Sequence, residues 1–184
     1  MQRVFFTWSP ENKNSEIFEE WVNKRFGVSL PEDFLLFLQD NGIGGNPVPN
    51  QFSGKIGMEH LVIEEFYRLS PEDAILSIQY KTEDAVDEEV MGENMIMFAE
   101  GAAGHLSFTL AIKGPHRGKV FAFVDSGVYL EGDQIRLENG ALHLADTFSE
   151  FIDGLYADED AIHSWEVRMG YLPDEIKEKF SSGS

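Results

Sequence analysis

Between Asn14 and Phe26, apolar residues return every three or four positions, at Ile17, Phe18, Trp21, Val22 and Phe26. That spacing places them on one face of a helix. Asn14 or Ser15 is a suitable cap, because either side chain accepts hydrogen bonds from free backbone N–H groups. Gly27 supplies the stop. A second helix is predicted from Pro31 to Asn41-Gly42. Proline at a first helical position gives up no hydrogen bond, and Glu32 and Asp33 sit at the positive end of the dipole. Phe34, Leu35, Phe37 and Leu38 are its apolar residues, most of them expected in the core. Residues 42–54, rich in Gly, Pro and Asn, are predicted to form a loop.

His60–Tyr67 then reads as a strand, and Pro71–Tyr80 as a helix capped by Ser70. Glu83–Glu93 is strongly acidic and is predicted as a helix or an exposed loop. A β-meander follows, with apolar strands at Met95–Ala99, His105–Ile112 and Lys119–Val124. Turns at Gly101–Gly104 and Gly114–Gly118 separate them. Gln134–Leu137 and Ala141–Leu144 flank Asn139-Gly140, a strong hairpin signal. Asp146 or Thr147 caps a helix through Tyr156, with Phe148, Phe151, Ile152 and Leu155 on one face. In the charged extension 158–184, Ile162, Trp165, Val167 and Met169 suit a further helix, and the final Ser-Ser-Gly-Ser is expected to be disordered. Helices, then an antiparallel sheet, then a helix is an α+β order. The expectation is an antiparallel-rich central sheet with N-terminal helices and a closing C-terminal helix, in one domain over residues 1–157 of the 184.

Composition narrows the classes. A hydrophobic fraction of 42% with fifteen Phe agrees with a packed globule, and the lack of Cys excludes disulfides and Cys-based zinc sites. The first residues show no signal peptide, and no run approaches the ~20 apolar residues of a membrane span. A cytoplasmic protein is expected. The net charge of -19 repels nucleic acid and anionic membranes and favours cationic partners.

Catalytic patterns are missing from the sequence. His60, His105, His116, His143 and His163 form no His-x-x-x-His pair, and there is no Gly-x-Ser-x-Gly elbow. Gly42-Ile-Gly-Gly-Asn46 leads into Pro47 and Pro49 rather than the Lys-Ser/Thr end that a phosphate loop needs. His116, Arg117 and Lys119 read as a solvated hairpin tip. Carboxylates adjoin at Glu64-Glu65, Glu72-Asp73 and Glu88-Glu89, but neighbours on a strand face opposite sides. No cofactor, metal or catalytic residue is expected. The remaining signal is the cluster Glu83, Asp84, Asp87, Glu88, Glu89 and Glu93.

Three segments, in this order, carry a family resemblance. They are Gly27-Val-Ser-Leu-Pro-Glu-Asp-Phe34 with Phe37-Leu38 and Asn41-Gly42; Ile96–Gly101 with Lys119–Asp125; and Asp146–Ile152. Together they resemble the SUKH superfamily, which includes a yeast cell-wall-synthesis regulator and many bacterial immunity proteins. The resemblance spans about residues 14–157 and assigns Leu30, Pro31, Phe34, Phe37, Asn41 and Gly42 to a structural motif. It implies a non-enzymatic scaffold that binds proteins, in bacteria usually a toxin domain of nuclease or deaminase type. The expected function is an immunity protein that occludes a basic toxin's active cleft. Its docking residues would be the acidic cluster, with Glu64 and Glu65 as weaker candidates. The alternatives are an intracellular regulatory scaffold with other partners, and a small hydrolase with an unrecognised carboxylate site.

Overall fold

The computed structural model describes residues 1–7, 14–69, 74–124, 128–131, 134–137 and 141–181. Its first helix is α1, Ser15–Phe26. Phe18, Val22 and Phe26 are buried, and Trp21 packs on the core from its edge. Ile17 departs from expectation at 52% exposure. The buried stripe runs along i, i+4 and i+8, and Ile17 lies about 100° away from Phe18 around the axis. Asn14 stands at the cap position, but its side chain makes no capping bond. Gly27 ends the helix in the left-handed conformation. The second helix, α2, is Glu32–Asn41; it starts one residue later than predicted, with Pro31 at the cap position. Phe34, Phe37 and Leu38 enter the core, whereas Leu36 stays exposed.

The segment predicted as a loop is partly extended. Strand β1 (Phe5–Phe6) pairs with β2 (Pro47–Val48). β3 (Gln51–Ile56) forms a hairpin with β4 (Glu59–Val62). The single strand expected over His60–Tyr67 is thus two: β4, and β5 (Glu65–Phe66), which joins the central sheet. The helix expected at Pro71–Tyr80 starts later. A 3-10 turn at Ala74–Leu76 precedes α3, Ile78–Asp87. Ser77, not Ser70, caps it, accepting a 3.1 Å hydrogen bond from the Tyr80 amide; residues 70–73 lie outside the described set.

The meander forms as expected, with β6 (Met95–Gly101), β7 (Leu106–Ala111) and β8 (Val120–Val124). The next pairings differ. β9 (Val128–Glu131) pairs with β10 (Gln134–Leu137), and β11 (Ala141–Ala145) pairs with β8. So β10 and β11 do not form the hairpin predicted around Asn139-Gly140, residues that themselves lie outside the described set. The central antiparallel sheet has five strands in the order β11-β8-β7-β6-β5. Helix α4 (Phe148–Asp153) follows, capped by Thr147. Then come α5 (Glu159–Met169) and α6 (Asp174–Ser181). Ser181, expected in a disordered tail, ends α6, while 182–184 fall outside the described residues. Val167 is exposed; Ile162 and Trp165 are the buried residues of α5.

The middle strands β6, β7 and β8 are buried on both faces. Side chains alternate across a strand, so Phe98 and Met97 point opposite ways. Phe98 meets Phe34 at 6.2 Å, Phe148 at 5.4 Å and Phe151 at 5.6 Å between ring centroids. On the other side α3 packs over β6, and the Met97 amide donates to the buried Thr82 hydroxyl at 3.1 Å. Phe148 also touches Phe34 at 4.6 Å and Phe37 at 5.1 Å, edge to face, which joins α2, α4 and the sheet in one aromatic cluster. A smaller second cluster joins Val48 to Ile162, Trp165, Leu172 and Ile176, with Phe5 packed against it.

Truncating the hub should therefore cost more than an ordinary core change. Phe148→Ala is expected to lose about 3–5 kcal/mol, read as a lowered urea midpoint, with Phe148→Leu losing clearly less.

Candidate functional site

Helix α3 decides where the acidic cluster points. Ile78, Thr82 and Ala85 are buried against the sheet, so the polar residues between them must face outward. Asp84, Asp87, Glu88, Glu89 and Glu93 are exposed. Glu89, just past the helix, has φ 58°, a conformation that costs a residue with a Cβ about 1–2 kcal/mol. Glu83 is committed elsewhere. Arg25 on α1 donates to it at 2.9 Å, and this hydrogen bond holds the guanidinium even more firmly in its charged form.

Beside this face lies a polar cleft of about 210 Å³, lined by Tyr67, Lys81, Asp84, Glu88, Glu100 and His105 among others. The Tyr67 hydroxyl donates to Glu100 Oε2, and Lys81 Nζ reaches the same oxygen at 3.2 Å. Lys81 also lies 5.1 Å from the centroid of the Tyr67 ring. Burial, then the bond to Glu100, pushes the Tyr67 hydroxyl far above its ordinary range, so it stays protonated as a donor. Tyr67, Lys81 and Glu100 were not among the sequence candidates. With α3 placed at 78–87, Lys81, Asp84 and Glu88 fall at i, i+3 and i+7 on one side. The helix predicted over 71–80 hid that relation. Glu100 comes from β6, and only the strand register brings it in.

Glu64 and Glu65 part company, though not as strand neighbours, since Glu64 lies in the connection between β4 and β5. Glu65 stands directly opposite Glu100 across β5 and β6. Its carboxyl is pushed above the usual range, by burial first and by Glu100 second. Glu64 is exposed, and its Oε2 accepts the Ala103 amide at 2.9 Å. That bond steadies a turn in which Ala102 and Ala103 both have positive φ. The predicted docking residues therefore do not form one patch. Asp84 and Glu88 line the α3 cleft, Glu65 faces Glu100, and Glu64 lines a separate cleft beside α5.

The motif residues serve packing. Leu30, Pro31, Phe34, Phe37 and Gly42 are buried, and Asn41 is half-buried. The hairpin tip predicted to be solvated is tied down: Arg117 donates to the Leu30 carbonyl at 2.8 Å and to the Ser29 carbonyl at 3.3 Å. Lys119 pairs with Asp146 at 2.9 Å, which holds that carboxyl below its ordinary range. Chain reversal before α2 leaves those carbonyls unpaired, and the guanidinium satisfies them.

The model of the SMI1/KNR4 family (SUKH-1) matches residues 15–154. That stretch covers α1 through α4, including the whole central sheet. The chain belongs to the SMI1/KNR4 family. A search of curated proteins finds no match. Membership supports a protein-binding module of the immunity type at the level of the family. Among the described residues no helix is long and apolar enough to cross a membrane, and no group of three His, Cys, Asp or Glu is placed to hold a metal ion. In this SMI1/KNR4 domain, the α3 cleft is a rim of carboxylates around one tyrosine hydroxyl and one ammonium.

The Glu65–Glu100 opposition has a measurable sign. A carboxyl whose folded pKa is raised binds its proton more tightly in the native state, so stability falls as pH rises past the unfolded value. Glu65→Gln is expected to raise the urea midpoint at neutral pH. The gain should shrink as pH falls through the carboxylate range, where wild-type Glu65 is already protonated.

Proposed function

We propose that this SMI1/KNR4 domain is a non-catalytic, cytoplasmic immunity protein that neutralises a toxin by placing the α3 face in its active cleft. A toxin that acts on nucleic acid carries a basic cleft to hold phosphates. The observation that carries the reading is the exposed run Asp84, Asp87, Glu88 and Glu89, on the last turn of α3 and its C-terminal cap, with the helix anchored by Ile78, Thr82 and Ala85. Asp84 and Glu88 stand one helical turn apart beside Glu100 in the same cleft. Carboxylates so fixed can occupy phosphate positions without chemistry. The net charge of -19 supplies long-range attraction to such a partner. In this reading residues 1–157 make the binding domain, 158–184 extend it, and Glu64 and Glu65 stand outside the docking face.

The test is stopped-flow association with the product of the adjacent gene. Charge reversal at Asp84, Asp87, Glu88 and Glu89 should slow association about ten-fold or more at low salt and move dissociation less. Wild-type association should fall steeply toward about 0.5 M salt, where screening acts within a few Å. Glu83 is left intact in that variant because it holds Arg25. An association rate indifferent to both changes would overturn the reading.

A further inference from the structure

The α3 cleft has a hydroxyl at its floor that the fold leaves unused. Across the middle strands Glu100 stands opposite Ser107, and Ser107 opposite Phe123. All three line the cleft, so they share the side of the sheet that α3 overlies. Ser107 is buried at 8% exposure, and its side chain makes no hydrogen bond among the described residues. Its oxygen is nevertheless reachable. Thr109, next on the same side of β7, differs in having its hydroxyl sealed off and unmet. A guest entering the cleft with a donor therefore meets, in Ser107, an acceptor for which nothing in the fold competes.

The groups around Ser107 indicate what that guest carries. Glu100 has one oxygen to spare: Oε2 takes both the Tyr67 hydroxyl and the Lys81 ammonium, and Oε1 accepts nothing among the described residues. Asp84 and Glu88 add exposed carboxylates from α3. Three carboxylates thus meet one ammonium, that of Lys81, which Glu100 already holds at 3.2 Å; the exposed His105 completes the polar wall. Ala85, Val90, Met97 and Phe123 supply an apolar lining. A cationic head on an apolar stem fits both. An ammonium has three donors around one atom, whereas a guanidinium has five in a planar fork and is more weakly hydrated. The fork can serve Ser107 and Glu100 along one edge and turn its other donors to Asp84 and Glu88. At about 210 Å³ the cleft has room for one long side chain.

We infer that the α3 cleft receives one arginine side chain of the partner protein. Its guanidinium donates to Ser107 Oγ and Glu100 Oε1 at the floor and to Asp84 and Glu88 at the rim, with the methylene stem against Val90 and Phe123. The inference rests on the α3 face being the docking surface proposed above, and it names what that surface grips. An arginine taken up here is withdrawn from the phosphates it would otherwise hold. Rim carboxylates act during approach, whereas buried floor contacts act after docking, so the two appear in different rate constants.

Ser107→Ala removes one hydroxyl and no charge. In stopped-flow binding to the adjacent gene's product it should raise the dissociation rate about ten-fold and leave association within about two-fold. Ser107→Val, which puts a methyl group at the floor, should raise dissociation at least as much. A second probe needs no partner protein. Nα-acetyl-arginine methylamide is titrated into the full chain and followed by the Glu100 amide in 15N–1H NMR. The expected result is a saturable shift with Kd on the order of 1 mM, weakened about ten-fold by Ser107→Ala. The corresponding lysine compound should bind at least about five-fold more weakly, and the citrulline compound, which keeps the shape without the charge, should not bind. Equal binding of the lysine compound would mean a site for any cation and would overturn the arginine assignment. Dissociation and probe binding indifferent to both Ser107 variants would overturn the inference, while slowing by α3 charge reversal would leave the docking face standing. Conversely, partner association indifferent to salt and charge reversal, with probe binding that depends on Ser107, would remove the toxin face and keep the arginine site.

Discussion

Burial of the middle strands β6, β7 and β8 on both faces governs the rest of this molecule. Every side chain of β7 from Leu106 to Ala111 is buried, and Met95–Ala99 in β6 is buried without a break. An antiparallel sheet usually leaves one face wet and alternates polar with apolar residues. Here α2 and α4 cover one face through Phe34, Phe37, Phe148 and Phe151, and α3 packs along β6. Packing against β6 fixes the rotation of α3. Once Ile78, Thr82 and Ala85 are turned inward, the carboxylates have only solvent to face. The acidic surface is a by-product of how the sheet is closed.

That logic also explains what was legible in the sequence. The aromatic periodicity of Phe34-Phe37-Leu38 and Phe148-Phe151-Ile152 marks helix faces, because each face is one continuous stripe. The apolar runs of β6, β7 and β8 read as strands because burial on two sides removes alternation. The start of α3 was hidden because Ser70-Pro71 and Ser77 are both credible starting signals; the structure uses Ser77. β3 was hidden because its exposed middle, Ser53–Lys55, has no apolar alternation. Pairings were the least legible. Local sequence favoured β10 with β11, but β8 offers β11 a long buried partner and wins it.

Site residues follow the same division. The exposed carboxylates of α3 could be named from composition alone. Glu100 and Tyr67 could not, since their roles arise from strands far apart in the chain, and nothing in either local stretch announces a partner. The cleft beside α5 was least visible of all. Its members come from Thr7, Asn46–Glu64 and Asp158–Arg168, and reciprocal backbone bonds between Gln51 and Tyr156, both 2.9 Å, bring the last two segments together.

The two hydrophobic clusters differ in what holds them. The main one closes through the sheet and the aromatic cluster between α2, α4 and β6, while the smaller rests on Val48, Ile162, Trp165, Leu172 and Ile176. Free energies of local opening scale with how much apolar surface must be parted. The last two helices, which rest on the smaller cluster, are therefore expected to open at lower cost than the body. Amide exchange in α5 and α6 would then run through these excursions rather than through global unfolding. The chain would carry its least-protected hydrogens next to its most permanent ones.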